Sequence, residues 1–143
     1  MTIEQLSVFV ENKPGKLVEA LETLAQAGID LRALSLADTA DFGILRIIVD
    51  NPSDALKALQ DAEYLVRSNE VIPVSVGDKP GGLAAILRIL ANSGIDVEYT
   101  YAFVAHASGK AYVIIRVADN AVAIKTLNDN GVPLLSREDM FGL

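Results

Sequence analysis

Cysteine is absent from the 143 residues, which excludes disulfides, thiolate metal sites and thiol nucleophiles. That absence fits a reducing compartment, and the cytoplasm is the expected location. Histidine occurs once, as His106, and a single imidazole without cysteine partners is a poor start for a metal site or a catalytic set. It reads as a solvated residue of a turn spanning Ala105–Gly109. Basic residues are outnumbered, 12 Lys and Arg against 19 Asp and Glu, giving a formal charge of −7 that repels phosphate backbones and anionic headgroups. Nucleic acid is therefore not an expected partner. No stretch approaches the ~20 apolar residues that span a bilayer, and the opening MTIEQLSVFVENKPG lacks the basic and apolar blocks of a signal peptide, so no membrane association is expected. The G-x-S-x-G, H-E-x-x-H and G-x-x-x-x-G-K-[ST] patterns are missing too. No nucleophile, base and orienter stand out together, so neither an enzyme nor a cofactor is expected.

What is present is a repeat. The chain is 51% hydrophobic, enough for a packed core, and residues 10–31, VENKPGKLVEALETLAQAGIDL, align without a gap on residues 76–97, VGDKPGGLAAILRILANSGIDV. Lys13, Pro14, Gly15, Leu17, Gly28, Ile29 and Asp30 recur as Lys79, Pro80, Gly81, Leu83, Gly94, Ile95 and Asp96. Farther on, Ala55–Leu59 echoes Ala123–Leu127 after a small insertion. Self-similarity of this kind marks two copies of one supersecondary unit, here 1–69 and 70–143.

Periodicity orders the elements within each copy. Ile3, Leu6, Val8 and Val10 suggest a strand, and Leu17, Leu21 and Leu24 at helical spacing suggest a helix after it. Pro14 suits the first helical position, because its missing N–H is an orphan there, and Gly28 supplies the left-handed residue that closes the helix. Runs 29–37 and 43–50 then read as strands joined by a hairpin at Asp38–Phe42. Asn51-Pro52-Ser53-Asp54 opens a second helix, and a strand near 63–68 ends the copy. The second copy follows as strand 71–76, helix 80–93, strands 95–105 and 110–118, helix 120–130 and strand 132–136. The fold class is α+β: two ferredoxin-like βαββαβ units in tandem, each an antiparallel sheet with helices on one face. A unit of roughly 66 residues buries only about 60% of its unfolded surface. The strands starting at Leu31 and Val97 carry apolar residues at both parities, so the helix-free face is expected to meet another unit, in the chain or in a homodimer. Alternating Tyr99, Tyr101 and Phe103 could stack bases, but without a basic strip they read as packing residues.

These residues resemble the ACT domain, a small regulatory module of amino-acid-metabolism enzymes. The resemblance rests on Asn12-Lys13-Pro14-Gly15-Lys16-Leu17 with Gly28-Ile29-Asp30, and on Asp78-Lys79-Pro80-Gly81-Gly82-Leu83 with Gly94-Ile95-Asp96. It implies a ligand, an amino acid, held between two paired units. The contacts it implies are the loop residues Asn12 and Asp78, and Asp30 and Asp96 just after the Gly-Ile step of the neighbouring unit. In the similar domain of phosphoglycerate dehydrogenase a histidine lies two residues before the loop Asn, where this chain has Val10 and Val76, a departure that bears on serine specificity.

The chemistry of such a site is plain. Amide groups at a helix N-terminus suit a carboxylate, and the oxygens of Asn12, Asp78, Asp30 and Asp96 suit an ammonium. Gly15, Gly81 and Gly82 would let a ligand approach the backbone, while Lys13, Lys16 and Lys79 could aid carboxylate binding. With Pro14 and Pro80 as first helical residues, the caps would fall on Lys13 and Lys79, which cap poorly; Asn12 and Asp78 would face a ligand rather than merely satisfy the turn. Side-by-side pairing would set Asn12 against Asp96 and Asp78 against Asp30, making the two sites unequal in charge. The expected function is a ligand-sensing regulatory protein without a catalytic domain. The alternative is a ligand-free interaction subunit that regulates a metabolic enzyme.

Overall fold

A computed structural model describes residues 1–39, 41–103 and 110–142. The chain divides into two compact units, one of Glu4–Asn69 and the other of Glu70–Leu143 with Met1–Ile3.

The first unit contains β1 (Ile3–Glu11), α1 (Lys16–Gln26), β2 (Leu31–Asp38), β3 (Phe42–Val49), α2 (Pro52–Asp61) and the start of β4 (Leu65–Gly77). Its strands lie in the order β2-β3-β1-β4, with β3 antiparallel to β1 from Leu6↔Ile47 to Glu11↔Phe42 and to β2 from Leu31↔Val49 to Asp38↔Gly43. Alternation sends Leu6, Val8 and Val10 of β1 and Leu45, Ile47 and Val49 of β3 to one face, where they pack with Ala20, Leu24, Ala55 and Leu59 of the helices. Both helices therefore cover the same face.

The second unit takes the rest of β4, then α3 (Gly82–Asn92), β5 (Val97–Phe103), β6 (Lys110–Val117), α4 (Asn120–Asp129) and α5 (Arg137–Phe141). Its strand order is β4-β6-β5, and Ile72, Val74, Val113 and Ile115 meet Leu90, Ala123 and Leu127 in an equivalent core.

Helix ends are set by local chemistry. Asn51 and Asp119 cap α2 and α4 by accepting from the amides of Asp54 and Val122. At the far end of α1, Gly28 (φ 73°) donates to Ala25 O and Ile29 to Leu24 O. This Schellman closure recurs at Gly94 and Gly131, and at α2 with Glu63 (φ 69°) in the left-handed position.

Four expectations need correction. Strands 63–68 and 71–76 are one strand, β4, because the polar stretch between them stays extended: Ser68 Oγ donates to Glu4 Oε2 at 2.6 Å and Gln5 Nε2 donates to Asn69 Oδ1 at 3.3 Å. Strand 132–136 shrinks to a single bridge, Val74↔Leu134, held by Ser75 N to Pro133 O and Leu135 N to Pro73 O, both 3.0 Å. Pro73 and Pro133 have no N–H, so the ladder cannot lengthen. A short helix, α5, follows where none was expected, started by a capping box between Ser136 and Asp139. The α1 and α3 helices also begin later than Pro14 and Pro80, as described below.

The mixed parity of β2 and β5 has a local cause. Register shifts between Leu31 and Ala33 and between Val97 and Tyr99 leave Leu31 and Val97 on the helix side. Tyr99, Tyr101 and Phe103 pair with Arg116, Ile114 and Tyr112 on the other side, where Ile114 is fully buried. There Tyr99 stacks on Tyr101 at 6.5 Å and Phe103 tilts against Tyr112 at 5.6 Å. The expected turn around His106 lies outside the described residues.

Candidate functional site

In both units the strand-to-helix loop is built the same way. Lys13-Pro14-Gly15-Lys16 closes through Lys16 N to Lys13 O at 3.2 Å with Gly15 at φ 85°, ψ −13°. Lys79-Pro80-Gly81-Gly82 closes through Gly82 N to Lys79 O at 3.1 Å with Gly81 at φ 83°, ψ −2°. Pro followed by a left-handed Gly is the sequence of a type II turn. The Pro-Gly pair thus makes a turn before the helix, not its first residues. Helices α1 and α3 start at Lys16 and Gly82, with Gly15 and Gly81, rather than Lys13 and Lys79, as N-caps.

No side chain caps either helix. The first intrahelical bonds run from Glu19 N to Gly15 O and from Ala85 N to Gly81 O, both 3.0 Å. The amides of Lys16 and Gly82 close the turns, which leaves those of the next two residues in each helix for other acceptors, at the positive end of a helix dipole. Asn12 and Asp78 are exposed. The Asn12 backbone amide donates to Asp41 O at 3.2 Å, tying the loop to the β2–β3 hairpin.

The glycines differ in use. At Gly15 and Gly81 a Cβ would meet nothing within 4 Å, so the turns are open to an approaching molecule. At Gly82 a Cβ would overlap the Gly77 carbonyl oxygen. The space expected for a ligand there is taken by the chain's own backbone.

The lysines are partly engaged as well: Lys13 Nζ lies 3.1 Å from Glu11 and Lys16 Nζ 3.5 Å from Glu19. Lys79 is exposed and Leu83 half-buried, like Leu17, the two leucines packing against the cores of their units.

Asp30 and Asp96 are exposed, and the Asp30 amide donates to Asp50 Oδ1 at 3.0 Å. Within a unit they lie far from the loop residues. Glu11 pairs with Phe42 at one end of β3 and Leu31 with Val49 at the other, a run of roughly 23 Å at about 3.3 Å per residue. Neither unit alone brings Asn12 to Asp30 or Asp78 to Asp96.

Beside the first loop is a hollow of about 80 Å³, lined by Asn12, Lys13 and Leu17 together with Leu36, Asp38 and Gly43. The last three were not foreseen. Their signal is the register, since Val10 and Asp38 both pair with Gly43, where a Cβ would stand 2.9 Å from Leu36. Among the described residues, no group of three or more His, Asp or Glu is placed to hold a metal, and no helix is long and apolar enough to cross a membrane.

Residues 1–140 match the family described as an ACT domain pair. The chain belongs to that family. An ACT pair is a regulatory rather than a catalytic module, and its two Pro-Gly turns are the corresponding loops of its two domains. Protein BT0572 from Bacteroides thetaiotaomicron is similar over 100% of this chain and 98% of its own, with 41% identity and a TM-score of 0.91. The regulatory subunit of aspartate kinase from Thermus thermophilus shares the fold over 88% of this ACT pair and 91% of its own chain, at 19% identity and a TM-score of 0.63. Aspartokinase alpha and beta subunits do so over 97% and 93%, at 19% identity and 0.57. No curated protein matches the chain.

Proposed function

We propose that this ACT pair is a cytoplasmic regulatory protein with no catalytic activity of its own, which binds an amino acid at its two Pro-Gly turns and passes the binding state to a metabolic enzyme. The observation behind the reading is the pair of turns, each presenting an uncapped helix N-terminus beside an open glycine. Such a feature accepts a carboxylate through backbone amides. Asn12 and Asp78 would take the ammonium, with Asp30 or Asp96 contributed by a neighbouring unit, and a homodimer is the simplest source of further pairing. The regulatory subunit of aspartate kinase, a protein of the same fold, makes an enzyme of amino-acid metabolism the natural target.

A thermal-shift screen of the twenty amino acids tests the reading. At 100 times its dissociation constant a ligand stabilises by about 2.7 kcal/mol, so at least one amino acid should raise the melting temperature by several degrees. Asp78→Ala should abolish one class of site and leave the other, because the two are built from different residues. Unchanged stoichiometry and affinity in that variant would remove the assignment. A second reading, an interaction subunit without ligand, is favoured by Leu34 and Leu36, which stay 48% exposed on the edge strand β2; it predicts no stabilisation by any amino acid.

A further inference from the structure

The first unit has a cleft of about 630 Å³, within the usual range for small-molecule sites. It lies between the end of β1, the start of α1 and the corner joining α2 to β4. One wall is apolar: Phe9, Phe42, Tyr64 and Leu65 line it, and Phe42 and Leu65 remain 47% and 61% exposed. The other wall is charged, with Glu11, Glu19 and Glu63 beside Lys16. Glu11 and Glu19 are paired with Lys13 and Lys16, but Glu63 is in no ion pair among the described residues, and it sits at the C-terminal, partially negative end of α2.

The second repeat is an internal control. By the repeat alignment, the positions of Phe9, Phe42, Glu63 and Leu65 are held there by Ser75, Lys110, Gly131 and Pro133. That unit runs through the same order of elements and closes α4 with the same left-handed geometry. The architecture therefore requires neither the aromatic wall nor a carboxylate at the helix end. At that place the second unit has a hollow of about 560 Å³ lined by Tyr112 and Lys110 and by Glu138 and Asp139 of α5, with a single aromatic ring and a different charge pattern. Glu63 also holds a conformation that side chains with a Cβ adopt only at a cost, and glycine avoids that cost at the ends of α1, α3 and α4.

We infer that this cleft binds a molecule carrying an ammonium group on a bulky apolar body, with the ammonium at Glu63 and the body against Phe9 and Phe42. This chemistry belongs both to simple aryl or branched alkyl amines and to amino acids with such side chains. The site goes beyond the function proposed above, because it lies within one unit and uses none of Asn12, Asp30, Asp78 or Asp96, although Lys16 of the first turn lines it as well.

Calorimetric titration of the full chain with phenethylamine, L-phenylalanine and 3-phenylpropionate tests it. Phenethylamine should bind, with 3-phenylpropionate at least tenfold weaker. Tighter binding of L-phenylalanine than of phenethylamine assigns the cleft to amino acids, and the opposite order assigns it to simple amines. Glu63→Gly should weaken phenethylamine at least fivefold while raising the melting temperature, a combination that damage to the fold cannot produce. Glu63→Gln should weaken it with the backbone conformation kept, and the double variant Asn12→Ala, Asp78→Ala should leave it unchanged. No binding of phenethylamine at millimolar concentration, equal binding of 3-phenylpropionate, or indifference to both Glu63 variants would overturn the inference. Amino-acid stabilisation that vanishes in the double variant, together with no binding of phenethylamine, would remove the cleft and leave the turns standing; stabilisation that survives the double variant but vanishes in Glu63→Gly would remove the turns and leave the cleft.

Discussion

Glu63 occupies at the end of α2 the left-handed position that Gly28, Gly94 and Gly131 occupy at the ends of α1, α3 and α4. A residue with a Cβ pays roughly 1–2 kcal/mol for that conformation. Glu63→Gly is accordingly expected to stabilise the protein by about 1 kcal/mol, once the added freedom of glycine in the unfolded chain is set against the relief. Urea denaturation reads this directly, and a lower midpoint would contradict it. Gly82 makes the opposite case. As the first residue of α3 it should gain from alanine by about 0.8–1 kcal/mol on helix propensity. The overlap of a Cβ with the Gly77 carbonyl instead forces the backbone to move, at a cost of roughly 1–3 kcal/mol. Gly82→Ala should therefore destabilise, and the sign of the measured change decides between the two effects.

At the scale of the element, α5 depends on the mutual bonds of Ser136 and Asp139: Ser136 N donates to Asp139 Oδ2 at 2.9 Å and Asp139 N to Ser136 Oγ at 3.0 Å. The Ser136 backbone amide, and then the Ser136 side chain, hold the Asp139 carboxyl below its ordinary value of 3.8. A carboxyl lowered by folding contributes stability that is fully present above its unfolded value and is lost as pH falls through the folded one. Acidification should thus release α5 only below the ordinary carboxylate range. The Ser136 amide resonance should titrate with a midpoint under 3.8, and a midpoint at or above that value would contradict the capping box. The Ser136-to-Asp139 spacing is a capping signal in the sequence, but it overlaps the apolar run 132–136 that reads as a strand. The element order was legible because leucine spacing in α1 and α3 and alternation in β1 report burial directly. The glycines at 28 and 94 were legible for a related reason, since few other residues close a helix that way. Less legible was Pro14. The same dipeptide serves both a helix start and a type II turn, and only the Lys13–Lys16 bond separates them. The Gly77–Gly82 contact and the hollow at Leu36, Asp38 and Gly43 depend on strand register and on approach through space, which no local pattern records.

At the scale of the molecule, the repeat and the ACT pair match agree over nearly the whole chain, and the two copies differ within the turns proposed to bind ligand. Asn12 in one loop is Asp78 in the other, and Lys16 is Gly82. Regulation by such a protein requires a ligand with different affinity for two states of the protein or of its complex, and the two turns are the proposed point of entry. The most direct measurement is a backbone-amide NMR titration of the full chain with whichever amino acid stabilises it. The account predicts that the largest shifts fall on Gly15, Lys16 and Leu17 and on Gly81, Gly82 and Leu83, and that Asn12→Ala with Asp78→Ala abolishes them. Shifts confined to other parts of the chain, or unchanged in that double variant, would contradict it.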